Sequence, residues 1–448
     1  MNNITMSVEF DRLPTESISL ETEDINHAII LSSKIPDDSR QWQTYLNSLA
    51  LFGLKQWIKE RDGNFTVNWQ ESTIAKPELA NAIPVATNLQ VGSFKICTIA
   101  IGNLFEEQVL LPKLVVDLPE YVPHFYVLVE VLEEQECCVV RGLMPYQQLI
   151  EHLQATQTNH PQTDWTYQIP LNWFEHDPNR LLLYLRALEP EALPLPAITE
   201  NRQQQLAAIE RELVRLLPQL QSPETELWQV LNWEQGSIVL RSPELLEWIY
   251  HLQINNLETA NSVSIQTYLL DFIKLITQPA INLGRWLWDE LDEVGESLAW
   301  TLLPPTPVSE FRTPAEEFRG IQMQLQAQGI EIPTVARCGH HNFLLAGNPL
   351  RIYAVAWNSS TESNPSTWSL LLILGATAPN SLPNNLKFRI SDKTGILAEQ
   401  QVHPQQTDSY LFTAVAGTWD EKFIASVSIA PGVEVALPPF AFDIRQTG

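Results

Sequence analysis

Between residues 20 and 61 the apolar positions recur three and four apart, a spacing that predicts two helices. The second carries the stronger signal: Trp42, Leu46, Leu49, Leu51, Leu54, Trp57 and Ile58 mark its apolar side, Asp38 or Ser39 can cap its start, and Asp62-Gly63 stops it. From Asn64 the period shortens towards two. Phe65–Trp69, Leu89–Ile101, Val109–Leu111, Phe125–Leu132 and Cys138–Leu143 are rich in Val and Ile and read as strands. The acidic run Glu133-Glu134-Gln135-Glu136 reads as the tip of a hairpin. Short helices over Tyr146–Leu153 and Asn179–Leu188 complete this part, and short strands with short connections point to a small mixed or barrel-like sheet beside the helical pair.

The three prolines of Glu189–Pro196 disfavour any regular element and mark a linker. A helical section follows. Thr199 can cap a helix carrying Leu206, Ile209, Leu213, Leu216 and Leu217, with further helices over Ser242–Leu252, Ser264–Ile276 and Asn282–Leu303 before Pro304-Pro305 ends the run. The last stretch returns to period two in Arg351–Trp357, Ser369–Leu374, Leu386–Ile390, Ile396–Gln401, Ser409–Val415 and Phe423–Ile429, with turn residues between them. The expected fold is therefore a multidomain α+β chain. Residues 1–190 form helices with a small sheet, 197–305 a helical section and 330–448 an antiparallel β-sandwich, with boundaries at the two proline-rich stretches.

Charge adds a second layer. The 448-residue chain carries a formal −26 at pH 7, unevenly placed: residues 1–305 hold 41 acids against 18 bases, and 306–448 hold 12 against 9. Such acidity disfavours binding to nucleic-acid backbones or anionic lipid and favours basic protein partners. Four cysteines, Cys97, Cys137, Cys138 and Cys338, are too few and too irregular for a disulfide framework, so a reducing cytoplasm is expected. Met1–Leu20 carries Glu9, Asp11 and Glu16 without an apolar core of signal-peptide length, and runs such as Leu370–Leu374 are far shorter than a bilayer crossing, so neither export nor membrane insertion is expected. Only 17 glycines occur, and no phosphate-cradling G-x-G-x-x-G or G-x-x-x-x-G-K-[ST] stands among them.

Several segments resemble a known family. Tyr45-Leu-Asn-Ser-Leu-Ala50, Asp117-Leu-Pro-Glu120 leading into His124-Phe-Tyr126, Asn282-Leu283 with Trp286-Leu287 and Gly295, and Leu382-Pro-Asn-Asn-Leu-Lys387 are similar, in order and over nearly the whole chain, to the cyanobacterial domain-of-unknown-function 1822 family. Glu296 and Pro438-Pro439 depart from that pattern, standing where a tryptophan and an acidic residue are expected. The resemblance implies a cyanobacterial, cytoplasmic protein. It supplies no activity and no catalytic residues.

Four groups have chemical potential. Cys338-Gly339-His340-His341 has the donors of a zinc site or a thiol–imidazole dyad, but no second Cys/His pair completes a tetrahedral set. It reads as ordinary strand sequence. Glu133, Glu134 and Glu136, like Asp289, Glu290, Asp292 and Glu293, read as solvated acidic faces rather than paired catalytic carboxylates. His124 lacks a nucleophile partner and reads as a sheet histidine. The tryptophans stand apart: six of fourteen, namely Trp228, Trp233, Trp248, Trp286, Trp288 and Trp300, fall in the acidic central section. Trp286 and Trp288 point to different faces of one helix, which leaves one for a neighbour or a partner.

No catalytic, cofactor or metal residue is assigned. The expected function is a non-enzymatic cytoplasmic interaction or regulatory protein that binds a basic protein, with a sigma-like factor as the named example, through Trp286, Trp288, Asp289, Glu290, Asp292 and Glu293. The alternative is a hydrolase or peptidase whose site assembles from dispersed residues around Cys338 and His340.

Overall fold

The computed structural model describes residues 16–83, 86–102, 107–156, 162–198, 201–254, 262–304, 313–360, 366–377, 381–403, 409–429 and 432–444. It is mixed α+β and divides into two compact units: Met1–Arg202 with Arg215–Thr259, and Gln203–Val214 with Ala260–Gly448. The helices of the central section are therefore shared between the two bodies. Thr199 and the stretch 305–312 of the second proline-rich boundary lie outside the described residues.

In the first unit, helices Thr22–Ser32 and Asp38–Arg61 accompany a six-stranded sheet curled like half a barrel. Its strands are β1 (Ile18–Ser19), β2 (Val67–Asn68), β3 (Thr87–Val91), β4 (Phe94–Ile101), β6 (Phe125–Leu132) and β7 (Cys137–Pro145), in the order β1-β7-β6-β4-β3-β2. All pairs are antiparallel except β4 with β6. A separate antiparallel pair joins β5 (Gln108–Pro112) to β8 (Thr166–Pro170). The long helix is capped by Asp37, one residue earlier than the sequence suggests, because its carboxylate accepts from the Arg40 N–H at 3.0 Å. Leu49, Phe52, Leu54, Trp57 and Ile58 pack against Ile96, Phe125, Val127 and Val129 of the sheet. Contact is close enough that a β-carbon on Gly53 would stand 2.6 Å from the Cβ of Cys138.

The expected single strand Leu89–Ile101 is instead the hairpin β3–β4, turned at Gly92, whose φ of +56° suits glycine. Uninterrupted apolar alternation on both sides of Gly92 hid the turn.

The second unit is a sandwich of two antiparallel sheets. One has the order β10-β11-β12-β13-β16, formed by β10 (Thr301–Leu302), β11 (Arg337–Leu345), β12 (Asn348–Asn358), β13 (Thr367–Ala376) and β16 (Tyr410–Thr418). The other has the order β15-β14-β17-β18, formed by β14 (Leu386–Ser391), β15 (Ile396–Gln401), β17 (Ile424–Ile429) and β18 (Val433–Ala436). A short parallel pair, β9 (Ile281–Asn282) with β19 (Phe440–Ala441), stands apart. Alternate residues Ile352, Ala354, Leu370, Leu372 and Leu374 meet Leu386, Phe388, Ile390 and Val427 in one core. The opposite side chains of β12 and β13, Tyr353, Val355, Leu371 and Ile373, pack with Ile321 and Leu325 of helix Pro314–Ala327. That helix opens with a Thr313/Glu316 capping box, a signal the strand pattern on either side overshadowed.

The expected continuous helix Asn282–Leu303 does not form. The segment folds as β9, a short 3-10 helix Leu283–Trp288, a single α-turn Glu293–Ser297 and β10. Asp289 at φ +59° and Ala299 at φ +56° interrupt it, both in a left-handed conformation that a helix excludes. Its 282–297 part is therefore a compact irregular loop laid on the sandwich core through Leu283 and Trp286.

Candidate functional site

Segment 281–302 is held at several points by polar contacts to backbone. Asn282 Oδ1 accepts from Gly284 N at 3.0 Å and Asp443 N at 2.9 Å, while its Nδ2 donates to the Asp443 carbonyl at 2.9 Å. Gly284 has no room for a side chain, since a β-carbon would lie 2.6 Å from that same carbonyl oxygen. Asp292 is buried: Oδ1 caps the turn by accepting from Gly295 N at 3.0 Å and Oδ2 accepts from Asn282 N at 2.9 Å. The Asn282, Trp286 and Gly295 positions noted in the sequence thus share one task, fixing this loop to the sandwich.

Fixing the loop sorts its aromatic and acidic side chains. Trp286 is fully buried against Trp300, ring centroids 5.4 Å apart, whereas Trp288 is 50% exposed. Asp289, Glu290, Glu293 and Glu296 are exposed on the same segment. Of the six residues expected at a partner surface, the structure gathers Trp288, Asp289, Glu290 and Glu293 on accessible positions and withdraws Trp286 and Asp292 into structural work. Two arginines partly offset the acids, Arg337 with Asp289 at 2.9 Å and Arg285 with Glu290 at 3.7 Å. Next to them lies a shallow hollow of about 530 Å³ with Asp289, Glu290 and Glu296 on its rim and Leu291, Trp300 and Leu302 on its apolar side. Glu296, Trp300 and Leu302, which line this hollow with Asp289, were not assigned from the sequence.

The Cys338-Gly339-His340-His341 group lies on β11 and does not assemble as a dyad. Cys338 is buried, its thiol contacts the Gly339 carbonyl at 3.7 Å, and burial pushes the thiol well above its ordinary range, away from the reactive thiolate. His340 places Nδ1 3.1 Å from the Thr301 carbonyl, and His341 stacks on Trp300 with centroids 5.6 Å apart. Burial lowers both imidazoles below their usual value. Among the described residues, no group of three or more His, Cys, Asp or Glu side chains could hold a metal ion.

His124, in the first unit, is also a structural group. Its ring Nδ1 accepts from Lys95 N at 2.9 Å, and the His124 backbone N–H donates to the Lys95 carbonyl at 2.8 Å. Glu133, Glu134 and Glu136 sit exposed on the β6–β7 tip, with Glu136 at φ +49°.

One buried polar cluster escaped the sequence altogether. Asp271, from helix Ser262–Thr277, accepts from Arg389 Nε at 2.7 Å, Arg389 Nη2 at 3.2 Å, Ser391 Oγ at 2.9 Å and Ser426 Oγ at 2.7 Å. Both carboxylate oxygens are satisfied, and Arg389 Nη2 also meets Glu434 at 3.2 Å. Both serines donate to the carboxylate, so the cluster fastens the helix to the β14–β17 sheet rather than activating a hydroxyl. The residues lie 118 to 155 positions from Asp271 along the chain, too far for any local motif to reveal.

No helix among the described residues is long and apolar enough to cross a membrane. The model of the family described as Protein of unknown function (DUF1822) matches residues 18–432, and the chain belongs to that family. No curated protein and no solved structure matches it.

Proposed function

We propose that this chain is a non-enzymatic interaction protein that presents Trp288 and its acidic surround to a basic protein partner. The exposure of Trp288 carries the reading. The loop has buried Trp286 and Trp300 in the same core, yet it leaves a third large indole half in solvent on a segment whose Asp289, Glu290 and Glu293 are also exposed. A buried aromatic anchor surrounded by charge is the arrangement in which protein interfaces concentrate their energy. The hollow beside it, with three carboxylates over an apolar side, suits the long stem and cationic head of a lysine or arginine.

The charge of −26 supports the same direction, since an acidic surface speeds the approach of a basic protein and repels nucleic acid. A regulatory role in the cytoplasm, masking a basic DNA-facing protein such as a sigma-like factor, is the specific form we favour. The hydrolase alternative has less support, because Cys338 and His340 are each engaged with backbone carbonyls.

Capture from native lysate at low salt tests this. The wild-type chain should retain a basic protein that Trp288→Ala and the pair Glu290→Lys and Glu293→Lys do not. Retention of the same proteins by all variants, or of no basic protein, would remove this surface from the function.

A further inference from the structure

We propose that the cavity between helix Pro314–Ala327 and the start of β11 binds a small carboxylate with an apolar body. The cavity measures about 350 Å³, within the range of sites that enclose small ligands. Leu303, Phe318, Ile332 and Val355 give it an apolar wall, and Arg319 and Arg337 are the charged groups on it. No Asp or Glu lines it among the described residues. In a chain with 53 acids against 27 bases, a hollow with two guanidiniums and no carboxylate is set against the surrounding charge.

The two arginines differ in a way that bears on the ligand. Three other guanidiniums of this unit face carboxylates: Arg389 meets Asp271, Arg351 meets Glu317 and Arg285 meets Glu290. Arg337 reaches Asp289 at 2.9 Å. Arg319 has no carboxylate within ion-pairing distance among the described residues. A planar guanidinium matches a carboxylate in a two-bond fork. Two exposed apolar residues are neighbours of lining residues along the chain: Met323, one helical turn beyond Arg319, is 64% exposed, and Val335, between Thr334 and Ala336, is 61% exposed. A head group held by Arg319 would leave an apolar tail against Phe318, Ile332 and Val355. This site shares no lining residue with the hollow beside Trp288, and the Arg337–Asp289 ion pair is the link between the two.

Titration calorimetry of the full chain with decanoate, decanol and inorganic phosphate tests the assignment. Decanoate should bind saturably, about tenfold or more tighter than decanol, because a charge-assisted hydrogen bond contributes at that level. Arg319→Gln should weaken decanoate by about tenfold, Arg319→Lys should recover part of the loss, and Asp289→Asn, which releases Arg337, should tighten binding. Ala315→Leu, filling the cavity from its lining, should weaken decanoate and decanol together. Unchanged thermal melts for the Arg319 variants, at an exposed helix position, separate lost binding from lost folding. The assignment is overturned by absent decanoate binding, by equal affinity for decanol, by phosphate binding as tightly as decanoate, or by an Arg319→Gln chain that binds like the wild type.

Discussion

The indole of Trp286 rests on the bare backbone of Gly339: a β-carbon at that position would stand 2.8 Å from Cη2 and Cζ3 of the ring. Two features that look unrelated in the sequence, a tryptophan in the acidic central section and the glycine of a Cys-Gly-His-His group, are halves of one packing contact. The glycine admits the ring, and the ring anchors the loop that turns Trp288 outward. The Cys-Gly-His-His group is thereby explained by packing, with His341 stacked on Trp300 and Trp300 tilted against Trp286.

Gly339→Ala should destabilise the chain by about 1–3 kcal/mol, the usual cost of overfilling a packed core. Combined with Trp286→Phe, which removes the ring atoms in the way, it should cost less than the two single changes added together. Urea denaturation of the four chains of this cycle measures the coupling; strict additivity would show that the contact is not tight.

Asp271→Ala should cost about 3–5 kcal/mol, because it strands the buried Arg389 guanidinium without its main partner. Arg389→Met placed on top should recover much of that loss by removing the unpaired charge. Thermal melts of the single and double variants check this, and a double variant no better than Asp271→Ala would show that the charge is not the cost.

Three histidines should make stability depend on pH. Burial holds His124, His340 and His341 below the ordinary value of 6.5, so in acid the unfolded chain takes up protons that the folded chain refuses. Stability should be full above 6.5 and fall as the pH drops below it towards the lowered folded-state values. Melting temperatures taken across that window, compared with a chain carrying His340→Gln and His341→Gln, isolate the effect. The double variant should show a shallower decline; an identical slope would exclude these rings as its source.

What could be read from the sequence follows the range of each signal. The helix Asp38–Arg61 and most strands of both sheets were legible, because burial on one face leaves a local period. Segment 282–302 was not. Its apolar residues sit at helical spacing, but the fold is decided by Asn282 reaching Asp443 and by a left-handed Asp289, neither of which has a period. For the same reason Asp292 looked like one more surface acid beside Asp289, Glu290 and Glu293, although it is the buried cap of the turn. Helix Pro314–Ala327, the hairpin turn at Gly92 and the Asp271 cluster were missed because short or distant contacts set them.

The association rate of the captured partner, followed across ionic strength with the variant chains, tests the central claim most directly. The screening length falls from roughly 30 Å at 0.01 M salt to about 8 Å at 0.15 M, so a surface that steers a basic protein should lose on-rate steeply over that range. Glu290→Lys with Glu293→Lys should slow association and flatten the salt dependence, while Trp288→Ala should leave association nearly unchanged and speed dissociation by about tenfold or more. Rates indifferent to salt and to all three substitutions would contradict the account and leave the acidity of this loop as a property of its solvation alone.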